Sequence, residues 1–337
     1  NRDFQLMLRV LEFEGNRHEF EKPMRIISEY DVPEDAWFFQ QNSHPEWMPY
    51  SVLMEIALQP CGFISANSGA MLIYPELDLH YRNLDGNGTL SKHIDLRGKT
   101  IQAEVELYST VASGNTVIQK HRFLLKCEGL PFYEGDTVFG YFTDEALENQ
   151  TGLDGGKAKL PWLDENTNHD MKVYRLNDSN SGLESGKPHL KLAGNQLNLL
   201  DEVHLSPSVG SHGKGYAYGK RIVDPKDWFF PCHFHQDPVM PGSLGVEAIL
   251  QALQVFCLDQ KLGDSFSNPR FRPSLSQTRW KYRGQIIPTT GMMQLELHVS
   301  KIEKQDDQLM LVADASLWRD ELRIYEVQDI SLVIEEA

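Results

Sequence analysis

The sequence predicts an α+β protein made of two copies of one module, each an antiparallel sheet wrapped around a central helix. Three observations predict this class: a repeat that spans most of the 337 residues, a largely apolar helical stretch in each copy, and alternating strand patterns after each helix. A chain of this length exceeds the usual single domain, so two folded units are expected.

The repeat consists of short matches that recur in the same order at offsets between 186 and 192 residues. The matches are Trp-Phe-Phe at 37–39 and 228–230, Met-Pro at 48–49 and 240–241, Glu-x-x-x-Gln at 55–59 and 247–251, Arg-Gly at 97–98 and 283–284, Glu-Leu at 106–107 and 296–297, and Tyr-Glu at 133–134 and 325–326. Nearly constant offsets indicate a duplicated module. We therefore assign a first copy to 1–147, a second copy to 188–337, and a linker rich in turn residues to 148–187.

Helix and strand periodicities place the elements within each copy. In the second copy Pro241 and Gly242 suit a helix start, and apolar residues follow at three- and four-residue spacing as far as Phe256. Residues 51–65 show the same pattern in the first copy. Strict alternation at 101–107, 293–299 and 309–313 predicts strands after each helix.

Composition restricts the function classes. Lys and Arg number 32 against 48 Asp and Glu, and the net charge of −16 disfavours nucleic acid or an anionic membrane as the main partner. No apolar run approaches the ~18 residues that span a bilayer, and no signal sequence is recognisable, so we expect a cytoplasmic location. The four cysteines form no Cys-x-x-Cys pair, which argues against a thiolate zinc site or a disulfide framework.

The most informative segment, at 227–251, reads Asp-Trp-Phe-Phe-Pro-Cys-His-Phe-His-Gln-Asp-Pro-Val-Met-Pro-Gly-Ser-Leu-Gly-Val-Glu-Ala-Ile-Leu-Gln. It joins His233 to a Pro-Gly helix start and to Glu247, fourteen residues after the histidine. This segment closely resembles the β-hydroxyacyl-acyl-carrier-protein dehydratases of the hotdog fold, which include the hydroxydecanoyl dehydratase. The resemblance covers about residues 188–335. It implies a double hotdog, with the two modules packed as a pseudo-dimer.

The first copy resembles the family less closely because its histidine is missing. Counting back fourteen residues from Glu55 gives Gln41, whereas counting from the Trp-Phe-Phe segment gives Asn42. His44 lies out of register, and Tyr50 replaces the glycine at the helix start. Tandem hotdogs with one decayed copy resemble the dehydratase domains of polyunsaturated-fatty-acid synthases. Whether the first copy keeps activity through His44 stays open.

In this family each active site combines the histidine of one hotdog with the acid of the other. The resemblance therefore implies that His233 works with Glu55, and that Glu247 faces Gln41 or Asn42 in a vestigial second site. It also implies dehydration of a (3R)-hydroxyacyl thioester to the trans-2-enoyl product, with double-bond isomerisation as an open addition. No metal or redox cofactor is expected, since the substrate arrives on the phosphopantetheine of an acyl carrier protein.

Physical roles follow for the residues of the implied site. His233, with a pKa near neutrality, suits a general base at the α-carbon. Glu55, in an apolar tunnel, would hold and protonate the departing hydroxyl, and Gln59 would orient that carboxyl. The N–H of Gly242 at the helix start would polarise the thioester carbonyl.

Other interpretations of these residues remain open. His233, His235 and Asp237 occupy every second position, and on a strand they would share one face, as metal ligands can. Ser243 suits a helix cap better than a nucleophile because no Gly-x-Ser-x-Gly turn surrounds it. A hotdog acyl thioesterase and a non-catalytic carrier-binding module are the two alternative functions.

A basic run is a candidate docking strip for an acidic acyl carrier protein, which we expect to belong to the same multienzyme. The run holds no acidic residue and comprises Arg270, Arg272, Arg279, Lys281 and Arg283. A solvated strand face explains the same pattern equally well. Self-association of the pseudo-dimer as a homodimer is a further open expectation.

Overall fold

The computed structural model describes residues 4–166, 169–177, 183, 186–305 and 307–336. The strands are β1 (Arg9–Glu14), β2 (Met24–Asp31), β3 (His80–Leu90), β4 (Thr100–Ser113), β5 (Thr116–Cys127), β6 (Leu130–Phe142), β7 (Lys172–Arg175), β8 (Glu202–Ser206), β9 (Tyr216–Ile222), β10 (Pro269–Pro273), β11 (Gln277–Tyr282), β12 (Met292–Gln305), β13 (Gln308–Arg319) and β14 (Leu322–Glu336). The helices are α1 (Trp37–Gln41), α2 (Tyr50–Ser68), α3 (Asp144–Glu148), α4 (Trp162–Glu165) and α5 (Gly242–Asp259). Long antiparallel strands therefore accompany one long helix in each copy.

Two compact units make up the chain, and each is assembled from segments that are not contiguous. The N-terminal unit comprises Asn1–Ala36, Val52–Gln150 and Leu275–Tyr282. The C-terminal unit comprises Trp37–Ser51, Thr151–Ser274 and Arg283–Ala337. Each unit thus includes a short segment of the other copy, and the copy limits at 1–147 and 188–337 stay a prediction about the repeat.

In the N-terminal unit an antiparallel sheet is ordered β1-β2-β4-β5-β6-β3-β11. The central helix α2 lies against this sheet. The Ser65 hydroxyl of α2 is 2.9 Å from the Tyr81 hydroxyl on β3 and 2.9 Å from Nε2 of His121 on β5. Ser65 and His121 are fully buried, so their polar atoms satisfy one another inside the core.

In the C-terminal unit the sheet is ordered β14-β13-β12-β9-β8-β7, with β10 paired to β14. Helix α5 packs against β9, β12, β13 and β14, and its residues from Ser243 to Leu258 are all buried. A side chain at Gly245 would collide with the Tyr325 ring of β14, so helix and sheet approach as closely as glycine permits. Each unit has the hotdog arrangement, and the predicted double hotdog is confirmed.

The predicted elements agree with those observed. The helix expected at 51–65 spans Tyr50–Ser68, and the second helix begins at Gly242 as expected. The alternating segments lie within β4, β12 and β13. These elements were predictable because helix and strand periods are written directly into the order of apolar residues.

The predicted linker at 148–187 contains α4 and β7, and its described residues from Thr151 onward belong to the C-terminal unit, whereas 148–150 belong to the N-terminal unit. The backbone N–H of Trp162 donates to the buried Glu296 carboxylate at 2.6 Å. Arg323 forms an ion pair with Asp154 at 2.6 Å, and β7 pairs with β8. The described residues of the predicted linker after Gln150 are therefore part of the C-terminal unit.

Among the described residues, one helix has the length and composition of a membrane span. Helix α2 with the turn after it, Tyr50–Ile73, is long and apolar enough to cross a membrane by length and composition, with a mean hydropathy of 1.3. Of its most apolar 18-residue window, 56 % is buried inside the protein. A central hotdog helix is apolar on most of its sides because a curved sheet covers it, and it therefore passes a test designed for membrane spans.

Candidate active site

His233 lies in the segment that leads into α5, and the backbone around it is well anchored. Its N–H donates to the Phe229 carbonyl at 3.0 Å, and its carbonyl accepts the Val239 N–H at 2.8 Å. The ring Nδ1 is 3.0 Å from the Val239 carbonyl oxygen. Since a carbonyl can only accept, Nδ1 carries the proton of the neutral ring, and Nε2 holds the lone pair that a general base needs.

Gly242 is the first residue of α5 and follows Pro241. The Met-Pro turn before it is held by a bond from the Met240 N–H to the Ile286 carbonyl at 2.9 Å. N–H groups in the first turn of a helix have no carbonyl one turn earlier, and the helix dipole is positive there. The start of α5 is therefore suited to stabilising a developing oxyanion. Ser243 lies inside the helix rather than at the cap, which Pro241 occupies.

Glu55 and Gln59 lie one turn apart on α2 in the N-terminal unit. Glu55 is buried, with 5 % of its surface exposed. Nε2 of Gln59 donates to Oε2 of Glu55 at 3.4 Å, so the two side chains meet as their spacing predicts. Glu55 and His233 belong to different units, and their catalytic pairing stays a prediction.

The second acid, Glu247 of α5, is placed against the start of the first copy's helix, within the C-terminal unit. Its Oε2 accepts the backbone N–H of Ser51, the second residue of α2, at 3.0 Å. Burial raises the pKa of the Glu247 carboxyl. The acid of one copy therefore contacts the helix start of the other copy, and its place in a vestigial site with Gln41 or Asn42 stays a prediction.

Asn42 takes the place of the missing histidine in the first copy. Its Nδ2 donates to the Trp47 carbonyl at 2.7 Å. Trp47 precedes a Met-Pro pair just as Val239 does in the second copy, so Asn42 forms the counterpart of the His233 bond. Gln41, the other residue that counting reaches, instead forms two hydrogen bonds with Gln196, at 3.1 and 2.8 Å, and the membership of either residue in a vestigial site stays a prediction.

His44 does not occupy the histidine position. It is buried, and its Nδ1 accepts the Glu46 N–H at 3.3 Å. Burial is the main cause that lowers the pKa of His44, with the Arg270 charge second. The ring of His44 is therefore held by the turn that carries it.

Two residues of the predicted five-residue docking strip are ion-paired within the chain. Arg270 is ion-paired with Glu335 at 3.0 Å and with Glu46 at 3.2 Å. Arg272 pairs with the same Glu335 and is 8 % exposed, so both charges are neutralised inside the chain.

Two members of the strip remain candidates for docking. Arg279 and Lys281 project from β11 with exposed side chains, whereas Arg283 is half-buried. A docking role can therefore rest on Arg279 and Lys281.

Among the residues that the structure describes, no group of three His, Cys, Asp or Glu side chains is arranged to hold a metal ion. His235 is exposed, whereas Nδ1 of His233 is engaged by the Val239 carbonyl. Sequence reasoning missed the carbonyls of Val239 and Trp47 and the N–H of Ser51. Backbone groups cannot be recognised from residue type. The repeat offsets could nevertheless have identified the carbonyls of Val239 and Trp47 as equivalent, because each residue precedes a Met-Pro pair.

Comparison with known proteins agrees with this geometry. Residues 192–328 match the model of the FabA-like domain. The chain is 37 % identical over 320 residues to a polyunsaturated fatty acid synthase polypeptide of Thraustochytrium sp., covering 92 % of this chain and 21 % of that protein. The chain thus spans about a fifth of the length of this curated relative.

Solved structures show the same fold across almost the whole chain. A crystal structure of the CurK dehydratase, an inactive mutant, is 12 % identical and covers 98 % of this chain and 99 % of its own, with a TM-score of 0.52. The structure named GphF Dehydratase 1 is 11 % identical and covers 97 % of each chain, with a TM-score of 0.50. The chain is thus similar along most of its length to this polyunsaturated fatty acid synthase polypeptide, and its residues 192–328 match the FabA-like domain.

Proposed function

We propose that the chain dehydrates (3R)-hydroxyacyl thioesters to trans-2-enoyl thioesters within a polyunsaturated fatty acid synthase. The observation that carries the proposal is the arrangement around His233. Its ring has Nδ1 committed to the Val239 carbonyl, 3.0 Å away, and it precedes a helix that begins at Gly242. This places a neutral imidazole base and an oxyanion-stabilising helix start on one short segment of a FabA-like domain.

The proposed reaction is an elimination of water. Nε2 of His233 removes a proton from the α-carbon, and the Gly242 N–H stabilises the negative charge on the thioester oxygen, worth ~3 kcal/mol for one such donor. Glu55 protonates the β-hydroxyl as the carbon–oxygen bond breaks, which releases water and forms the 2,3 double bond. Acid–base chemistry of this kind needs no metal or redox cofactor.

The second site supports our proposal that His233 works with Glu55 rather than with Glu247. Glu247 is engaged by the Ser51 N–H at the start of the first copy's helix, next to the segment that carries Asn42. The repeat makes Glu55 the counterpart of Glu247. By the same exchange, Glu55 is the acid for the segment that carries His233.

We further propose that the substrate is carried on the phosphopantetheine of an acyl carrier protein in the same multienzyme, in the cytoplasm. The relative's name, that of a polyunsaturated fatty acid synthase, supports a multienzyme setting. Arg279 and Lys281 on β11 are the exposed cations that an acidic carrier would contact. Double-bond isomerisation and assembly as a homodimer are compatible additions.

Hydration of an enoyl thioester, the reverse reaction, tests the proposal. We expect His233→Ala and Glu55→Ala each to lose about 10²–10⁴ in kcat/KM, the usual worth of a general acid or base. Glu247→Ala should keep most of the activity of the unmodified chain. Loss on Glu247→Ala together with retained activity on Glu55→Ala would overturn the pairing. Release of free thiol from an acyl thioester would indicate a thioesterase. If neither the enoyl thioester nor the acyl thioester reacts, the chain is a non-catalytic carrier-binding module.

A further inference from the structure

Gln59 of α2 is held by the first described residues of the chain, within the N-terminal unit. Its Oε1 accepts the Leu6 N–H at 2.9 Å, and its Nε2 donates to the Phe4 carbonyl at 2.9 Å. Phe4 and Leu6 are both buried, at 5 % and 1 % exposure. The segment at 4–6 therefore packs into the unit as well as binding the amide.

These two bonds determine which way the carboxamide of Gln59 points. An amide presents an acceptor on one side and two donors on the other. Rotation by half a turn would place the amide oxygen against the Phe4 carbonyl and the amide N–H groups against the Leu6 N–H. Such a flip leaves two buried groups without partners and is unfavourable.

The orientation matters because Glu55 lies on the donor side. Nε2 of Gln59 is 3.4 Å from Oε2 of Glu55. One N–H of the amide serves the Phe4 carbonyl, and the other faces the carboxyl of Glu55. In the flipped orientation an amide oxygen would face that carboxyl, and the interaction would be repulsive when the carboxyl is ionised.

The second copy contains a matched amide, Gln251. Its Oε1 accepts the Leu199 N–H at 2.9 Å, so the bond to the backbone is repeated in the second copy. Its Nε2 donates to Oδ1 of Asn198 at 2.9 Å. The acid of that copy, Glu247, accepts the Ser51 N–H. The two copies thus share the backbone bond and differ in the partner of the amide N–H groups.

We propose that the segment at 4–6 is a positioning element of the active site, acting through Gln59 on Glu55. The backbone bonds orient the amide, the amide donates to Oε2, and Oε2 is thereby held as an acceptor. The proton that Glu55 delivers to the departing hydroxyl then resides on Oε1. This inference rests on the catalytic role proposed for Glu55.

Leu6→Pro tests the proposal because it removes the N–H and retains an apolar side chain. We expect kcat for hydration of an enoyl thioester to fall about tenfold, the worth of one hydrogen bond, while KM changes less than about twofold. The matched control is Leu199→Pro, which removes the equivalent N–H from Gln251. That variant should leave kcat within about twofold of the unmodified chain. Equal losses of kcat in the two variants would overturn the inference.

A double-mutant cycle separates positioning from loss of structure. In a Gln59→Leu background, Leu6→Pro should cause no further fall in kcat, because the amide that it orients is already absent. A further fall of similar size would mean that Leu6→Pro acts through general destabilisation, and the inference would be wrong. If Leu6→Pro does not fold, Gln59→Leu against Gln251→Leu replaces the comparison, and only the first should lower kcat.

Glu55→Ala distinguishes this inference from the proposed function. Activity lost on Glu55→Ala but unchanged on Leu6→Pro and on Gln59→Leu overturns the positioning role alone. Activity retained on Glu55→Ala overturns the proposed catalytic pair instead.

Discussion

The segments that lead into the two central helices make the same kind of backbone contact with different side chains. In the second copy His233 bonds the Val239 carbonyl, and in the first copy Asn42 bonds the Trp47 carbonyl. Asparagine reproduces the hydrogen bond of the imidazole Nδ1 but has nothing that corresponds to Nε2. Tyr50 begins α2 where glycine begins α5. The hydrogen bond to the carbonyl is therefore kept in the first copy without the imidazole that our proposal makes the base.

Packing holds the corresponding segment of the first copy within the C-terminal unit. Trp37 and Trp228, the first residues of the two Trp-Phe-Phe segments, contact each other edge to face with ring centroids 5.1 Å apart. Gln254 of α5 donates to the Ser43 hydroxyl at 3.4 Å, and Glu247 accepts the Ser51 N–H. The segment at 37–51 is thus an integral part of the C-terminal unit.

The largest expected effect comes from making the second copy like the first. His233→Asn should preserve the bond to the Val239 carbonyl and leave the melting temperature nearly unchanged, yet reduce kcat/KM for enoyl hydration by about 10²–10⁴. The matched variant Asn42→Ala should cost about 1 kcal/mol of unfolding free energy and little activity. Substantial activity in His233→Asn would show that Nε2 is not the base.

A moderate effect on stability is expected at Glu247. Glu247→Ala leaves the Ser51 N–H without its acceptor and should lower the free energy of unfolding by about 1–3 kcal/mol, measured by urea titration. Glu247→Gln keeps an acceptor oxygen and should be much less destabilised. Equal losses in the two variants would show that packing of the side chain, rather than the hydrogen bond, is what matters.

The same residue predicts a pH dependence with a definite sign. Burial raises the pKa of Glu247 above its ordinary value of 4.5, so the folded chain holds this proton more tightly than the unfolded chain. The stabilisation is fully present below pH 4.5 and is lost as the pH rises through the raised folded value. Unfolding of the unmodified chain and of Glu247→Gln, compared from pH 4 to pH 8, should show the unmodified chain losing stability relative to the variant. A constant difference would contradict this.

The smallest effect is expected at the exposed cations of β11. Replacing Arg279 and Lys281 by glutamate should raise the KM for carrier-bound substrate severalfold and leave small thioester substrates unaffected, because only the carrier meets this surface. Arg122→Glu is the control, since Arg122 is 63 % exposed and lies in the same unit. A docking role would be contradicted if the KM rose equally for carrier-bound and small thioester substrates. It would also be contradicted if Arg122→Glu raised the KM for carrier-bound substrate as much as the replacements at Arg279 and Lys281.

Much of the fold was predictable from local patterns. The repeat identified two modules, apolar spacing located α2 and α5, and alternation located strands within β4, β12 and β13. Helix α2 has the composition of a membrane span because a curved sheet covers it, yet its apolar spacing identified it correctly as a helix of the fold. Patterns of this kind are predictable because they depend on neighbours in sequence.

Parts of the candidate site were not predictable in the same way. Spacing from Glu55 pointed to Gln41 as the counterpart of His233, and spacing from the Trp-Phe-Phe segment pointed to Asn42. Of the two, Asn42 makes the hydrogen bond to the Trp47 carbonyl, which the spacing could not reveal. No residue pattern indicated that Arg270 and Arg272 pair with Glu335, because this carboxylate lies more than sixty residues further along the chain. These contacts join residues that are distant in sequence, and several involve backbone atoms that no residue pattern identifies.

The sequence alone determined the duplication, the hotdog class and the segment that carries His233, because residue type and spacing encode local structure and a long motif. Tertiary structure decided that Asn42 bonds the Trp47 carbonyl, that Glu247 binds the start of α2, and that residues 4–6 bind Gln59. The physical reason is that hydrogen bonds between distant segments depend on where folding brings a carbonyl or an N–H, and every residue except proline offers both.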